Sequence, residues 1–409
     1  MDKIAIMGYG VVGSGVAELF YKTRENIEKK AGKPFDIKYI LDLKELPGDP
    51  YEEKLTHNFE DILGDPEVTL VVESMGGMNP AYDFTKRLLM AGKSVITSNK
   101  ELVAGRGAEL LEVAARNHVN YLFEASVGGG IPIIHPLYQC LGANQIDEIA
   151  GILNGTSNYI LTRMIKDGMS LETALRMAQD LGYAEADPSA DIDGHDACRK
   201  ICILGSIAFG HHIYPDGIRA EGIRGITGED VTTASAGGYV IKLIGRAKRY
   251  GERLIVMVSP ALISKQSPLA NVDDVYNGIM IRGEDIGDVV FYGRGAGKLP
   301  TAAAVISDII DAAQADDTLT SLHWQDEAPG QLAPVGEDTI QMFVRVRGGG
   351  PRAVENVFGH VHFIQGGKNG GSDLAFITEP GTEDHLNERV ALSNEMKIQV
   401  LSAIRLLPY

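Results

Sequence analysis

The first 130 residues alternate short apolar runs with amphipathic stretches. Runs rich in β-branched residues predict strands at Lys3–Met7, Ile37–Leu41, Leu70–Glu73, Ser94–Thr97 and Asn120–Glu124. Between them apolar residues recur at helical spacing, for example in Val16–Lys30 and Asn79–Ala91. Strands that alternate with helices are typical of parallel sheets with helices on both faces. Residues 1–130 therefore predict a doubly wound α/β domain.

The pattern becomes mixed over residues 131–292, which predicts an α+β domain. Predicted helices are Ser170–Asp180, Ala197–Phe209 and Gly228–Thr232, and predicted strands are Arg253–Val258, Gly278–Ile281 and Asp288–Tyr292. A glycine-rich turn then precedes a predicted helix at Thr301–Ala313.

Residues 338–409 form a third predicted domain with a different order of elements. These are strand Ile340–Val346, helix Arg352–Phe358, strand His360–Gln365, strand Asp373–Thr378, helix Glu383–Ser393 and strand Lys397–Leu407. The βαββαβ order is that of a small, compact unit.

The composition excludes several classes of protein. The 409 residues carry 38 Lys and Arg against 55 Asp and Glu, and this net charge of −17 would repel nucleic-acid phosphates. No apolar run approaches the roughly 20 residues that span a bilayer, and no signal-peptide pattern precedes the first strand. Three cysteines are too few for a disulfide framework. We therefore expect a reduced, cytoplasmic protein that binds neither nucleic acid nor membrane.

A glycine-rich turn follows the first predicted strand directly and opens a helix. Its sequence, Gly8-Tyr9-Gly10-Val11-Val12-Gly13, is the GxGxxG pattern. In that pattern Gly8 makes the tight turn, Gly10 lets backbone approach a pyrophosphate, and Gly13 lets helix and strand pack closely. The first N–H groups of the helix, including those of Val11 and Val12, then bind the anion. We predict a bound NAD or NADP, the alternative being a glycine turn without a ligand.

Further candidates lie at the carboxyl edge of the sheet, where ligands of doubly wound sheets bind. Asp42 ends the second strand and suits the ribose hydroxyls of NAD, whereas Lys44 suits the 2′-phosphate of NADP, so the sequence leaves both cofactors open. Gly76 and Lys100 follow the next two strands. Lys100 is a candidate for the cofactor site, with an exposed surface lysine as the alternative.

The acidic stretch 181–200 carries the second group of candidates. Its Asp191-Ile192-Asp193-Gly194 resembles part of an EF-hand, but Lys200 then occupies the position of the bidentate Glu, which excludes calcium. Asp196 and Lys200, spaced i, i+4, share one face of the predicted helix. Glu185 and Asp196 suit a substrate ammonium group, and a buried lysine can act as a base. The alternative is an exposed ion pair.

The histidines and cysteines suggest no metal site. Cys198 and Cys202, one helical turn apart, are predicted to be packed thiols, because no Cys/His pair completes a zinc pattern. His211-His212 and His360-Val361-His362 lack a further ligand at metal spacing in the sequence.

Six blocks of sequence, in this order, resemble the homoserine dehydrogenase family. They cover about residues 1–315 and read ESMGG, TSNKE, EASVGGGIPII, GILNGTSNYIL, LGYAEADPSADIDGHDACRK and GRGAGKLPTAAAV. The resemblance implies a Rossmann-type NAD(P)-binding domain to which residues 293–320 return. It implies an oxidoreductase that interconverts L-aspartate 4-semialdehyde and L-homoserine in threonine, methionine and isoleucine biosynthesis. No aspartate-kinase region precedes the first strand, so we expect a monofunctional enzyme.

The resemblance also implies roles for single residues. Lys200 matches the acid/base, Lys100 matches a lysine at cofactor and substrate, and the positions that match substrate contacts are Gly182, Glu185 and Asp196. Glu124, Val127, Gly129 and Ile131 match a loop that holds a monovalent cation, usually sodium, mostly through backbone carbonyls. Gly295 matches a glycine near the nicotinamide.

Departures from the family concern the cofactor and the last domain. Many relatives have Arg before the Asp that ends the second strand, and Leu41 stands there in this chain. The C-terminal unit resembles an ACT domain, a module that often binds amino-acid effectors, but its first turn reads Gly348-Gly349-Gly350-Pro351-Arg352. A structural or dimerising role is the alternative, and a homodimer is the family expectation. A different amino-acid dehydrogenase and a metabolite sensor remain the competing functions.

Overall fold

The computed structural model describes residues 2–314, 322–364 and 373–409. Its strands are β1 (Asp2–Met7), β2 (Phe35–Leu41), β3 (Leu55–Thr56), β4 (Val68–Glu73), β5 (Ser94–Thr97), β6 (Tyr121–Leu122), β7 (Ile146–Ile152), β8 (Arg219–Ala220), β9 (Tyr239–Tyr250), β10 (Arg253–Ser264), β11 (Tyr276–Gly283), β12 (Gly287–Arg294), β13 (Thr339–Arg347), β14 (Val361–Phe363), β15 (Asp373–Thr378), β16 (Gly381–Thr382) and β17 (Gln399–Leu406). Its α-helices are α1 (Val11–Lys22), α2 (Arg24–Ala31), α3 (Phe59–Leu63), α4 (Ala81–Met90), α5 (Lys100–Arg116), α6 (Gly155–Asp167), α7 (Leu171–Asp180), α8 (Ser189–Ile192), α9 (His195–Phe209), α10 (Gly228–Ala236), α11 (Lys298–Gln314), α12 (Pro351–Phe358) and α13 (Glu383–Glu395).

The first of two compact units holds the predicted doubly wound sheet. It consists of Met1–Ile146, Cys202–Asp216 and Gly293–Pro329. Its strands follow the order β3-β2-β1-β4-β5-β6, and every pair is parallel. The order reverses between β1 and β4, so a crevice opens beyond their carboxyl ends, where ligands of this fold bind. The predicted Rossmann-type α/β domain is confirmed.

The second unit is built on a mixed sheet. It consists of Asp147–Ile201, Gly217–Tyr292 and Gly330–Tyr409. The main path of the sheet runs β12-β11-β7-β9-β10-β17-β13-β15-β14. The predicted βαββαβ order is observed from β13 to β17, with the two-residue β16 added, and β17 joins β10 in parallel. Strands from residues 131–292 and from residues 338–409 share this one sheet, which therefore marks no boundary between the two ranges. The predicted domain boundaries stay predictions.

Several predicted elements differ in extent from the observed helices and strands. The single helix Val16–Lys30 is wrong: α1 starts earlier and ends before Thr23, whose N–H and hydroxyl both donate to the carbonyl of Leu19. The strand Asn120–Glu124 is too long, because β6 stops at Leu122 and a 3₁₀ turn begins at Glu124. The long strand β9 was not predicted.

Some predictions fall outside the described residues. Gln365 was predicted to end a strand, and residues 315–320 belong to the predicted returning segment; neither is among them. Of the helices that the structure describes, none combines the length and apolarity needed to cross a bilayer.

Candidate active site

The turn after β1 has the shape that dinucleotide binding requires. Gly8 adopts φ +90°, and a Cβ there would lie 2.8 Å from the backbone of Met75. A Cβ on Gly13 would lie only 2.0 Å from the carbonyl oxygen of Gly8, so helix α1 and β1 approach as closely as glycine allows. By contrast, a Cβ on Gly10 would meet nothing within 4 Å. The space in front of Gly10 is therefore open to a ligand.

The first turn of α1 is available to an anion. Its N-cap is Gly10, which has no side chain to cap the helix, and its first residue, Val11, is exposed. The N–H of Ser14 is bonded to the carbonyl of Gly10 at 3.0 Å. The N–H groups of Val11, Val12 and Gly13 precede that of Ser14 and lie at the N-terminus of the helix, which carries a partial positive charge. These residues fit a pyrophosphate.

A buried carboxylate that sequence reasoning missed ties two of the turns at the carboxyl edge together. Glu73 accepts hydrogen bonds from the N–H of Met75 at 2.9 Å and from the hydroxyl of Thr97 at 2.5 Å. Burial raises the pKa of Glu73, opposed by these hydrogen bonds. The Ser74 hydroxyl in turn donates to the carbonyl of Gly8 at 2.8 Å. The signal was present in the block ESMGG, but its meaning depends on contacts across strands.

Lys100 and Gly76 lie on the neighbouring turns. Lys100 is the first residue of α5, and the helix is capped by Asn99, whose side chain accepts from Leu102 N. The Asn99 amide also donates to the carbonyl of Gly77 at 2.6 Å, next to Gly76 at φ +78°. Because these turns are bonded to one another, the half-buried Lys100 is held at the carboxyl edge of the sheet.

Asp42 is fixed by backbone donors. Its two carboxylate oxygens accept from Tyr9 N at 2.6 Å and from Lys44 N at 2.9 Å. Partial burial raises the pKa of Asp42, but the N–H groups of Lys44 and Tyr9 outweigh it and hold this pKa below its usual value. Sequence reasoning missed His57, whose Nδ1 lies 2.7 Å from the carbonyl oxygen of Asp42. An ionised carboxylate therefore stands beside the GxGxxG turn, whereas the side chain of Lys44 is exposed.

The second unit holds Asp196 and Lys200 as a buried pair on α9. Their side chains meet at 2.7 Å, and Lys200 Nζ also donates to the carbonyl of Leu153 at 2.8 Å. Lys200 is only 8% exposed and Asp196 5% exposed. The alternative of an exposed ion pair is therefore wrong. Burial matters because water screens the interaction between two buried charges much less than it screens an exposed pair.

A hydrogen-bond network orients this pair. The Asn154 amide donates to Asp196 at 2.9 Å and to Asp191 at 2.7 Å. Asn154 is itself held as the N-cap of α6, where its side-chain oxygen accepts from Ser157 N at 2.8 Å. Burial raises the pKa of Asp191, the bond from Asn154 lowers it, and the charge of Asp196 raises it further. The Asp196 carboxylate, and Lys200 with it, is held in one orientation.

Gly182 and Glu185 lie on the loop that leads from α7 towards α8. Gly182 adopts φ +74°, a conformation that favours glycine, and Glu185 is exposed. The carbonyl of Glu185 accepts from the Gln179 amide at 3.0 Å. The Glu185 carboxylate thus lies on the exposed surface of this loop.

Several backbone oxygens of the predicted cation loop accept no hydrogen bond within the described part of the chain. The Glu124 carboxylate accepts the N–H groups of Ile133, Ile134 and His135 at 2.7–3.0 Å, so this side chain shapes the loop. Burial raises the pKa of Glu124, opposed by the same N–H groups. Three further buried residues of the loop have carbonyl oxygens that accept no hydrogen bond from any described residue: Val127, Gly129 and Ile131. Backbone carbonyl groups in buried segments normally have a hydrogen-bond partner, so these three are chemically suited to a further ligand.

Gly295 lies against this loop within the first unit. A Cβ on Gly129 would be 2.6 Å from the carbonyl carbon and oxygen of Gly295, and Gly130 N donates to the carbonyl of Arg294 at 3.0 Å. The structure therefore brings the predicted cation loop and the predicted nicotinamide glycine into contact.

A doubly wound domain with this first turn, in a chain that also carries a buried Lys–Asp pair, defines the class of NAD(P)-dependent oxidoreductases. The family model "Homoserine dehydrogenase" matches residues 132–310, and "Homoserine dehydrogenase, NAD binding domain" matches residues 8–124. A homoserine dehydrogenase of Synechocystis sp. is 40% identical over 412 aligned residues, which cover 97% of this chain and 93% of the relative. The chain belongs to the homoserine dehydrogenase family.

Solved structures of similar proteins support the same family assignment. A homoserine dehydrogenase from Thiobacillus denitrificans matches with a TM-score of 0.90 and 33% identity, covering 100% of this chain and 98% of that chain. A hyperthermophilic archaeal homoserine dehydrogenase in complex with NADPH matches with a TM-score of 0.64 and 28% identity, covering 76% of this chain and 97% of that chain. The family assignment thus covers both compact units.

Proposed function

We propose that this protein interconverts L-aspartate 4-semialdehyde and L-homoserine with Lys200 as its proton donor and acceptor. The observation that carries the proposal is the buried contact between Lys200 and Asp196, 2.7 Å apart, with a second contact from Lys200 to Leu153 O. Two fixed acceptors orient the ammonium group before substrate arrives. Such preorganisation lowers the cost of reaching the transition state.

The proposed proton transfer balances the hydride. When bound, the nicotinamide supplies or accepts the hydride. In the reducing direction Lys200 donates a proton to the aldehyde oxygen as that oxygen gains negative charge, and the neutral lysine regains the proton from solvent. In the oxidising direction Lys200 first releases a proton to solvent, and the neutral amine then accepts the hydroxyl proton of homoserine. Lys100, held at the carboxyl edge of the parallel sheet, is proposed as the second catalytic lysine on the strength of its match to the family.

Three residues are proposed to hold the amino-acid substrate. Glu185 offers an exposed carboxylate to the substrate ammonium group, and the positive φ of Gly182 shapes the same loop. Asp196 serves the substrate and also positions Lys200, since its carboxylate bonds to Lys200 and Asn154 together.

The reaction is tested with purified protein, L-homoserine, and NAD⁺ or NADP⁺, while absorbance of the reduced nicotinamide is followed in sodium-containing alkaline buffer. We expect reduction of at least one cofactor. A panel of other hydroxy and amino acids serves as control. Faster turnover of another substrate would favour a different amino-acid dehydrogenase, and no turnover of any would favour a sensor.

We propose that NAD is the preferred cofactor, because the Asp42 carboxylate is ionised and fixed. Its hydrogen bonds from Tyr9 N and Lys44 N keep the negative charge beside the GxGxxG turn. A ribose hydroxyl can donate to such a carboxylate, whereas a 2′-phosphate is repelled by it.

Asp42→Asn should shift this preference. The amide removes the charge and keeps one acceptor oxygen, which can serve Tyr9 N or Lys44 N but not both. We therefore expect the ratio of kcat/KM for NAD⁺ over NADP⁺ to fall by about tenfold or more, the scale of one charged hydrogen bond. Lys44→Ala is the matched control and should leave the ratio unchanged. A loss of NADP⁺ activity in Lys44→Ala, with no change of the ratio in Asp42→Asn, would contradict the proposal.

We further propose a sodium ion at the loop of Glu124, Val127, Gly129 and Ile131. The support is chemical: the carbonyl oxygens of these buried residues accept no hydrogen bond from any described residue, which suits a hard monovalent cation. The Glu124 carboxylate already accepts three N–H groups. Beside the turn at Gly295, the ion would hold that turn in place.

The remaining family properties stay proposals for this chain. We propose a homodimer, a place in threonine, methionine and isoleucine biosynthesis, and an ACT-like role for the C-terminal βαββαβ elements. We also propose the reduced, cytoplasmic setting that the low cysteine count predicts.

A further inference from the structure

Two histidines and a glutamate meet at the end of an antiparallel strand pair in the second unit. In the register of β14 and β15, Val361 pairs with Thr378 and His362 with Ile377. His360 and His362 therefore lie on one face, on which Glu379, the residue after β15, also lies. Sequence spacing alone does not reveal Glu379 as a third potential ligand, because Glu379 follows the neighbouring strand and approaches the histidines only in the folded chain.

The distances suit a single metal ion. His362 Nε2 lies 3.4 Å and His360 Nε2 4.0 Å from the same Glu379 oxygen, and the three ligand atoms lie within 4.8 Å of one another. A tetrahedral zinc ion, with bonds of about 2.0–2.1 Å, separates its ligands by about 3.4 Å. Small rotations of exposed side chains close the remaining gap.

We propose that His360, His362 and Glu379 form a surface site for a divalent transition-metal ion of the kind that prefers imidazole, with Zn²⁺ as the principal occupant. Two neutral imidazoles and one carboxylate are a suitable ligand set for Zn²⁺, and water completes the coordination. Hard cations such as Mg²⁺ and Ca²⁺ prefer oxygen ligands, so a site with two histidines should bind them weakly.

The backbone beneath the site is firmly held. Val361, between the histidines, is buried in the core that β13 and α12 share, so both imidazoles project from the opposite face of the strand. Thr378, just before Glu379, is buried, and its hydroxyl accepts from Met342 N at 2.9 Å. The three ligands are thus presented by anchored backbone, which lowers the entropic cost of binding an ion.

The test is Zn²⁺ titration of the full chain, without a polyhistidine tag, in competition with a chromophoric chelator. We expect one zinc equivalent that His362→Ala weakens by at least about tenfold, since even an outer-shell substitution costs that much. Glu379→Gln should weaken it too. His385→Ala is the matched control, because His385 is an exposed histidine 3.9 Å from Glu388 and belongs to no group of three potential metal ligands within the described residues.

Two further readouts separate this site from other metal binding. Electron paramagnetic resonance of the Cu²⁺-loaded protein should show two imidazole nitrogens, lost in His362→Ala. Zn²⁺ should raise the melting temperature of the wild type and of His385→Ala but not of His362→Ala, because an ion that binds only the folded state stabilises it. Equal zinc affinity and stoichiometry in wild type and His362→Ala would overturn the proposal, and would direct attention to His135, Asp308 and Asp311.

Discussion

Lys200→Ala is expected to lower kcat by about 10²–10⁴-fold, the usual contribution of a positioned proton donor. The substitution removes the only group on α9 that we assign to proton transfer. It leaves the GxGxxG turn in the other compact unit untouched, so the dissociation constant for NADH should not change. Steady-state kinetics and NADH titration of the same preparation separate the two effects.

The control is a second buried lysine with no assigned role. Lys242 on β9 is fully buried, donates to Val272 O and lies 3.1 Å from Asn158 Oδ1, and burial lowers its pKa to about 8. Lys242→Met should lower thermal stability while the folded enzyme keeps its kcat. If Lys200→Ala retained wild-type turnover, Lys200 would lose its role. An equal loss of kcat in both variants would point to general damage instead.

The parallel sheet was predictable because its strands obey a simple rule. β1 and β4 are mostly buried, so each contains a short uninterrupted apolar run, and the intervening helices keep helical spacing. β9 follows no such rule: it places Lys242 and Arg246 at buried positions, which interrupts the apolar pattern. Their partners include Val272 and Glu148, 30 and 98 residues away in sequence. A local sequence pattern does not show partners so far away, so the buried charged residues make β9 difficult to predict as a strand.

In the candidate site, too, features set by local spacing were predictable and features set by distant contacts were not. The i, i+4 spacing correctly predicted that Asp196 and Lys200 share a helix face, because helix geometry alone decides that. Their burial was not predictable, since it depends on Leu153 O, 47 residues earlier in the chain. The same holds for Glu379, whose distance from His362 is set by strand register. Spacing along one element is local information, and burial and cross-strand contacts are not.

Gly13→Ala and Gly10→Ala are expected to separate folding from cofactor binding. A Cβ at residue 13 would lie 2.0 Å from Gly8 O, so we expect loss of at least about 3 kcal/mol of unfolding free energy, the upper range for overpacking. A Cβ at residue 10 meets nothing, so Gly10→Ala should unfold at the wild-type denaturant concentration. Fluorescence of Trp324, the only tryptophan and buried in the first unit, reports this unfolding.

Cofactor titration then gives the decisive contrast. The space in front of Gly10 is where the proposal places the pyrophosphate, so a methyl group there should weaken NADH binding by about tenfold or more, or about 1.4 kcal/mol, without destabilising the free protein. Gly32→Ala is the control for alanine substitution at an open glycine away from the turn; its φ of +74° predicts a modest stability loss and unchanged NADH affinity. Wild-type NADH affinity in Gly10→Ala would mean that the backbone of Gly10 does not contact the cofactor. The fold would then be Rossmann-type with its dinucleotide bound elsewhere along the sheet edge.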